Sequence, residues 1–332
     1  MEERYDVSIL SCRPDWKDER VEEAVRKSIE LVGGIDSFVK KGDRVLIKPN
    51  LVADPLADSP RGKRLDHFIK GVNSHCTDVR TIAPLVKLCR EAGASRVVIA
   101  EAYDPSVFEH LGYMTLSKEM EVPLIYANEG PYIEVHIPDG YVFKSFYVNK
   151  ALIQFDKLIN AAKLKVHVGT GISGGMKNLM GLFPLAYYSH TGRGARSRFH
   201  SLDPELGNIL PYLSVDFNLA FHSDLTFIEG MVASDIHEHF AGTPVEMDVL
   251  IAGGNVVATD TVEAAVLGFD PTVDYPVHPF VTGRNYLKLA VEKGLGINDL
   301  GRINIKGESA KSVQKHKFTV RPEVLYVPRI SS

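Results

Sequence analysis

The chain has 332 residues, with 38 Lys and Arg against 42 Asp and Glu and a formal net charge of −4, a balance that argues against a broad nucleic-acid surface and makes any anion recognition local. Hydrophobic residues at 45% and charged residues at 24% are the proportions of an ordinary globular protein, long enough for one large α/β domain or two smaller ones. No run of about 18 apolar residues occurs, and Met1-Glu2-Glu3-Arg4 opens no apolar signal core, so a cytoplasmic protein without a membrane partner is expected. Cys12, Cys76 and Cys89 form no Cys-x-x-Cys pair. The chain therefore encodes neither a zinc ribbon nor a cysteine-ligated iron–sulfur cluster, and its thiols are expected to be reduced.

Apolar runs alternate with helical patterns in the first half, the sign of a mostly parallel sheet with crossover helices. Strands are expected at Val7–Cys12 and Arg44–Lys48, with a helix near Arg20–Leu31 whose Val21, Ala24, Val25 and Ile29 share a face. Asp54 to Asn73 is long and polar. Its Arg61, Lys63, Arg64 and His67 make it either a basic lid or a solvated loop. A helix near Ile82–Ala92, with Cys89 on its apolar side, leads to strands at Arg96–Ala100 and Leu124–Tyr126. Tyr132–Ile137 and Tyr141–Val148, joined through Pro138-Asp139-Gly140, read as a β-hairpin. A strand follows at Leu158–Ala161. Thr191 to Arg198, with Arg193, Arg196 and Arg198 among small residues, is a segment that an anion would order.

The second half reads as a helix at Glu205–Phe217 and strands at Leu225–Glu229 and Val249–Ala252, with Gly253-Gly254 turning the chain toward Asn255–Ala258. A helix at Thr261–Leu267 is expected to be capped by Thr259 or Asp260. A last helix near Asn285–Glu292 and strands near Arg302–Ile305 and Glu323–Val327 complete the pattern. A soft boundary near Ser214–Asp224 divides it into an α/β domain at 1–215, carrying the glycine- and lysine-rich loop, and a smaller α/β domain at 216–332 that closes a cleft.

Residues 160–178 carry the densest chemistry. An apolar run from Leu158 to Ala162 delivers Lys163, Lys165 and His167 to a loop containing Gly169, Gly171, Ser173, Gly174 and Gly175, which ends at Lys177-Asn178. Glycines let successive backbone N–H groups line a concave anion site, and the cations around it point to a negatively charged ligand. Gly169-x-Gly171-x-x-Gly174 matches a dinucleotide fingerprint, but Tyr187 to Arg198 offers no carboxylate at the spacing where a ribose would be held.

Lys48-Pro49-Asn50 ends a strand, where open α/β sheets place ligands. Thr77 and Asp78 precede a helix and serve either its N-cap or the site. Glu101 and Glu229 each follow a strand, and a buried carboxylate there can act as a general base or bind metal, or else be solvated in a loop. His237-Glu238-His239 reads either as part of a metal site or as a loop near the cleft.

Lys48-Pro49-Asn50, Thr77-Asp78, Glu101, Asn160-x-x-Lys163-x-Lys165-x-His167 and Lys177-Asn178-x-x-Gly181 together resemble the domain-of-unknown-function family DUF362, from about residue 43 to about residue 272. Members are often fused to ferredoxin-type iron–sulfur modules, which implies a ferredoxin-like redox partner here. More distantly, His167, Gly171-x-Ser173-Gly174-Gly175-x-Lys177 and a later His190 or His200 are similar to the core motif of lactate racemase. That resemblance implies two α/β lobes with a cleft between them, a lysine tethering a nickel-pincer nucleotide, and His190 or His200 as a metal ligand. The racemase Lys-x-x-x-Pro-Gly continuation is here Lys177-Asn178-Leu179-Met180-Gly181.

The expectation is an α/β enzyme that binds a small carboxylate- or phosphate-bearing substrate or cofactor. Lys48, Asn50, Thr77, Asp78, Lys163, Lys165, Gly174, Gly175 and Asn178 are the binding candidates; His167, Lys177 and Glu101 are the catalytic ones. The reaction compatible with the second resemblance is proton or hydride movement at a 2-hydroxy-acid-like carbon. Two alternatives stand beside it: a redox or metal-cofactor-handling protein working with an iron–sulfur partner, and a non-catalytic anion-binding module.

Overall fold

The computed structural model describes residues 5–52, 67–190, 196–238 and 242–321. The expected strand Glu323–Val327, His239, and most of the two candidate lid segments lie outside the described residues.

The strands are β1 (Tyr5–Ser11), β2 (Arg44–Pro49), a short ladder of β3 (Phe68–Ile69) and β4 (Val72–Asn73), β5 (Arg96–Glu101) and β6 (Leu124–Tyr126). They continue with the hairpin β7 (Tyr132–His136) and β8 (Ser145–Asn149), then β9 (Lys157–His167) and β10 (Gly171–Ile172). A second ladder, β11 (Leu202–Asp203) and β12 (Gly207–Asn208), precedes β13 (Leu225–Asp235), β14 (Thr243–Gly253) and β15 (Ile303–Gly307). The central sheet runs β15-β1-β14-β13-β9-β2-β5-β6, with β10 folded back onto β9. β6, β5, β2, β9 and β13 are mutually parallel, β14 is antiparallel to both its neighbours, and β15 is parallel to β1. The architecture is α/β on a mixed, mostly parallel sheet. Strands from both sides of residue 215 share it through the β9–β13 pairing.

Helices cover both faces, as parallel strands require. On one side α1 (Asp18–Leu31), α2 (Val79–Glu91), α3 (Pro105–His110) and α4 (Tyr113–Met120) bury Val25, Ile29, Ile82 and Leu85 against Ile47 and Ile159. On the other, α5 (Gly174–Asn178), α6 (Leu185–Tyr188), α7 (Leu210–Ala220), α8 (Val256–Val266) and α9 (Tyr286–Glu292) pack Met176, Val262 and Leu289 against Leu164 and Ile228, and Phe217 against Leu158. Cys89 is fully buried in the first core.

Several boundaries differ from the sequence reading, each for a local reason. β9 runs on to His167 because Lys163, Lys165 and His167 alternate with Leu164 and Val166, so the polar residues share one face while the apolar ones enter the core. α8 starts at Val256 rather than near Thr261: the Asn255 side chain accepts the Ala258 N–H at 2.9 Å and takes the N-cap, freeing Asp260 for another partner. α7 starts at Leu210, not Glu205, because Asp203 gathers the N–H groups of Glu205 and Leu206 into a turn. α3 and α4 were not expected; Asp104 caps α3 and Pro105 opens it.

The second hairpin strand begins at Ser145 rather than Tyr141. The buried Asp216 carboxylate of α7 accepts the N–H groups of Tyr141, Val142 and Phe143 at 2.5, 2.8 and 3.0 Å, withdrawing them from any ladder. Removing that acceptor strands three amides beneath the surface. Asp216→Ala is therefore expected to lower the urea midpoint with an unchanged slope, corresponding to a loss of about 3 kcal/mol.

Candidate functional site

The ionisable groups collect at the carboxyl ends of β2, β5, β9 and β13, where β9 outruns β2 past Pro49. Two fully buried ion pairs frame them. The Lys48 ammonium lies 2.5 Å from Glu101, and Lys163 donates to Glu229. Glu101 also accepts its neighbour's amide from Ala102, and Glu229 those of Asp78 and Met231. The expected general base Glu101 is thus committed to an ion pair instead of standing free. Gly181 makes room for it: a Cβ there would lie 2.1 Å from the Glu101 carboxylate.

Between the pairs runs a chain of side-chain amides whose direction the lysines dictate, since an ammonium only donates. Lys165 donates to Asn50 Oδ1 at 2.6 Å, and Asn50 Nδ2 donates to Asn178 Oδ1 at 3.0 Å, which also receives Lys48 at 3.1 Å. Asn178 Nδ2 then reaches Asn160 Oδ1 at 2.7 Å, and Asn160 donates to the Gly175 carbonyl. Thr77 locks Asn50 from behind, accepting its N–H and donating to the Ala161 carbonyl. Asp78 is the cap of α2, accepting the Arg80 N–H.

The glycine loop folds as a tight hairpin, β9 to β10, and then enters α5. Its amides do hold an anion, but one supplied by the chain: Gly175 N and Met176 N donate to the Asp260 carboxylate at 2.7 and 3.0 Å, and the Tyr286 hydroxyl donates to it as well. A Cβ on Gly174, whose φ is +55°, would meet Asp260 at 2.3 Å. Burial pushes the Asp260 carboxyl up to about 7 and that of Glu263, one turn on, well above its ordinary range, with Asp260 reinforcing the latter. Neither acid was singled out as a site residue. Their signal in the sequence is two carboxylates three apart in an otherwise apolar helix.

What remains is positive. Lys165, Lys177 and Arg196 are buried, at 1%, 7% and 3% exposure, and among the described residues no carboxylate lies within ion-pair distance of them. Among the described residues Lys165 donates to Asn50 and the His75 carbonyl, and Arg196 donates to the carbonyls of Phe183 and Ala102. Burial, and then the neighbouring cations, lower Lys177 to about 7, while burial lowers Lys165 to about 8.

The imidazoles are placed around this cluster. His167 Nδ1 accepts the Gly169 N–H at 3.0 Å, so in the neutral ring its proton sits on Nε2, facing Glu238 Oε1 at 3.3 Å. Glu238 in turn accepts the Val168 N–H. His75 Nε2 and His67 Nδ1 are 2.9 Å apart, and burial followed by the Lys165 charge holds His75 well below its ordinary value. His200 Nδ1 must donate to the Arg196 carbonyl at 3.0 Å, which leaves a lone pair on Nε2 of the neutral ring. Loss of hydration around the ring and then the Lys177 charge push His200 down, although the residue as a whole is exposed. His190 is exposed, with its backbone N–H on Ser197.

Among the described residues no group of three or more His, Cys, Asp and Glu side chains is placed to hold an ion. A surface depression of about 410 Å³ lined by Tyr126, Glu129 and Asn149 contains none of the buried lysines. The buried ionisable groups lie at the sheet end, in a packed interior, apart from that open hollow.

An amine that titrates at about 7 when folded and at about 10.4 when unfolded costs stability in full below the lower value. The cost disappears as pH rises through the upper one, because the unfolded chain binds the extra proton. Lys177→Met is therefore expected to stabilise the ligand-free protein at about pH 6, by on the order of 3 kcal/mol, and to do little at about pH 10. Thermal melts across that range measure it.

A family model described as a domain of unknown function (DUF362) matches residues 45–265, which include every member of this cluster up to Glu263. The thylakoid-associated protein sll1697 of Synechocystis sp. is 28% identical over 251 residues, covering 75% of this chain and 70% of that protein. No described helix is long and apolar enough to cross a membrane. With its lysine, asparagine and glycine motifs inside the matched span, the chain belongs to the DUF362 family.

Proposed function

We propose that the protein is an enzyme acting on a small anionic substrate, carboxylate- or phosphate-bearing, held at the carboxyl end of β9 by Lys165, Lys177 and Arg196. The observation that carries this reading is the unmatched charge. Three buried basic side chains with no carboxylate at ion-pair distance among the described residues are costly alone and are compensated by an anionic ligand. Lys48, Lys163 and the amide chain hold the frame, while the Lys177 amine, with no hydrogen bond among the described residues, is free to meet the ligand.

Two groups can move protons there. A neutral Lys177 amine accepts one near neutral pH. The His167–Glu238 pair supplies a second station, with Glu238 stabilising the imidazolium. Proton movement at a carbon beside a carboxylate, the step implied by the lactate-racemase-like motif, is the reaction class these groups suit. The name of the thylakoid-associated relative favours action at a membrane surface over free solution.

Titration calorimetry with oxalate and with inorganic phosphate tests the reading. An anion raises the lysine pKa values, so binding at about pH 8 is expected to take up protons, seen as a heat that varies with buffer ionisation enthalpy. Lys177→Met is expected to weaken binding at least about ten-fold, a cost of about 1.4 kcal/mol. Silence with both anions, or an unaffected variant, would remove the anion from the site.

A further inference from the structure

Lys177 differs from the other lysines at the sheet end. Lys48 donates to Glu101, Lys163 to Glu229, and Lys165 to Asn50 and the His75 carbonyl. The Lys177 amine has no hydrogen bond or ion pair among the described residues, although the residue is only 7% exposed. Its backbone is fixed. α5 is held at its first turn by Asp260 through Gly175 and Met176, and at its end by Asn178, which joins Asn50, Lys48 and Asn160. The amine thus sits on an anchored helix where burial first, and then the charges of Lys165 and Arg196, keep protons off it, and the same positive charges draw anions in. A largely buried lysine amine held neutral beside other cations is the arrangement that makes lysine a nucleophile toward carbonyl carbon.

We propose that Lys177 forms an imine with the carbonyl carbon of a small anionic aldehyde or oxo acid whose carboxylate or phosphate is held by Lys165 and Arg196. This rests on the anion-site reading above and adds the covalent step and the substrate class. The amine lone pair attacks the carbonyl carbon, forming the C–N bond while the carbonyl π electrons pass to oxygen. The carbinolamine then loses its hydroxyl with a proton from nitrogen as one water, leaving C=N. No oxidant or reductant is consumed. The iminium form takes up one further proton, for which His200 is the nearby carrier: its Nδ1–H is fixed on the Arg196 carbonyl and its Nε2 can load and release a proton.

The test is borohydride trapping on the full chain followed by peptide mass spectrometry. Glyoxylate serves as the carboxylate probe, glycolaldehyde phosphate as the phosphate probe and glycolaldehyde as the neutral control. Lys27, with a side chain 54% exposed, is the internal reference. The reduced adduct is expected on Lys177 in excess of Lys27 by about ten-fold or more, since a solvated lysine is almost wholly protonated at neutral pH. One anionic probe is expected to outrun glycolaldehyde, and the winner identifies the acid group. Lys177→Arg cannot form the imine, so it is expected to lose the adduct, while the oxalate- or phosphate-induced rise in Tm is read on the unsubstituted chain. Labelling of Lys177 no greater than that of Lys27, or equal labelling by glycolaldehyde, would overturn the imine. If the anions still raise Tm in that case, the anion site stands; if they do not, the failure belongs to the anion reading itself.

Discussion

The site depends on one electrostatic imbalance. Five long cationic side chains, Lys48, Lys163, Lys165, Lys177 and Arg196, converge on the end of a sheet where two carboxylates, Glu101 and Glu229, form ion pairs with them. Buried charge is tolerated when it is paired and hydrogen-bonded, and the two inner lysines satisfy that condition. The remaining three are satisfied only in part, by carbonyls and one amide oxygen, and Lys177 by nothing among the described residues. The fold around them must be stiff enough to hold like charges together without relaxing outward. The doubly covered sheet, with β9 and β13 buried along nearly their whole length, supplies that stiffness.

The amide chain from Asn50 through Asn178 to Asn160 carries this stiffness across the sheet. Lys48 and Asn160 lie on the face covered by α5 and α7, whereas Lys163 and Lys165 lie on the α2 face. Asn50, just past the end of β2, reaches both. Because lysines sit at two points along the chain, reversing any amide would set donor against donor. A polar network with a single allowed polarity is also a positional device, and it places Lys177 by fixing the residue beside it.

Much of this was legible in the sequence because it is written in local patterns. The alternation Lys163-Leu164-Lys165-Val166-His167 is a strand with one polar face, and Lys48-Pro49-Asn50 and Glu101 stand at strand ends in the structure. What could not be read is what requires the folded chain. The glycine loop looks like a receptor for an external anion, and its bound carboxylate, Asp260, is 85 residues on from Gly175. Glu101 looks like a free base until Lys48 is seen across 53 residues. Glu238 becomes the partner of His167 only through a contact spanning 71 residues. Asp216 reshapes a hairpin from 73 to 75 residues away. Short-range spacing reports which face a side chain takes; it is silent about which distant group waits there.

The depth of Lys177 has a kinetic consequence. With the residue only 7% exposed, a ligand of several atoms cannot settle against its amine until neighbouring side chains move aside. Electrostatic attraction then raises the local concentration of anions at the entrance, but the opening step sets a ceiling on the entry rate that added ligand does not lift. The same closure that slows arrival lengthens residence, since release must wait for the same opening. A slow, concentration-independent phase in association is the behaviour this burial imposes.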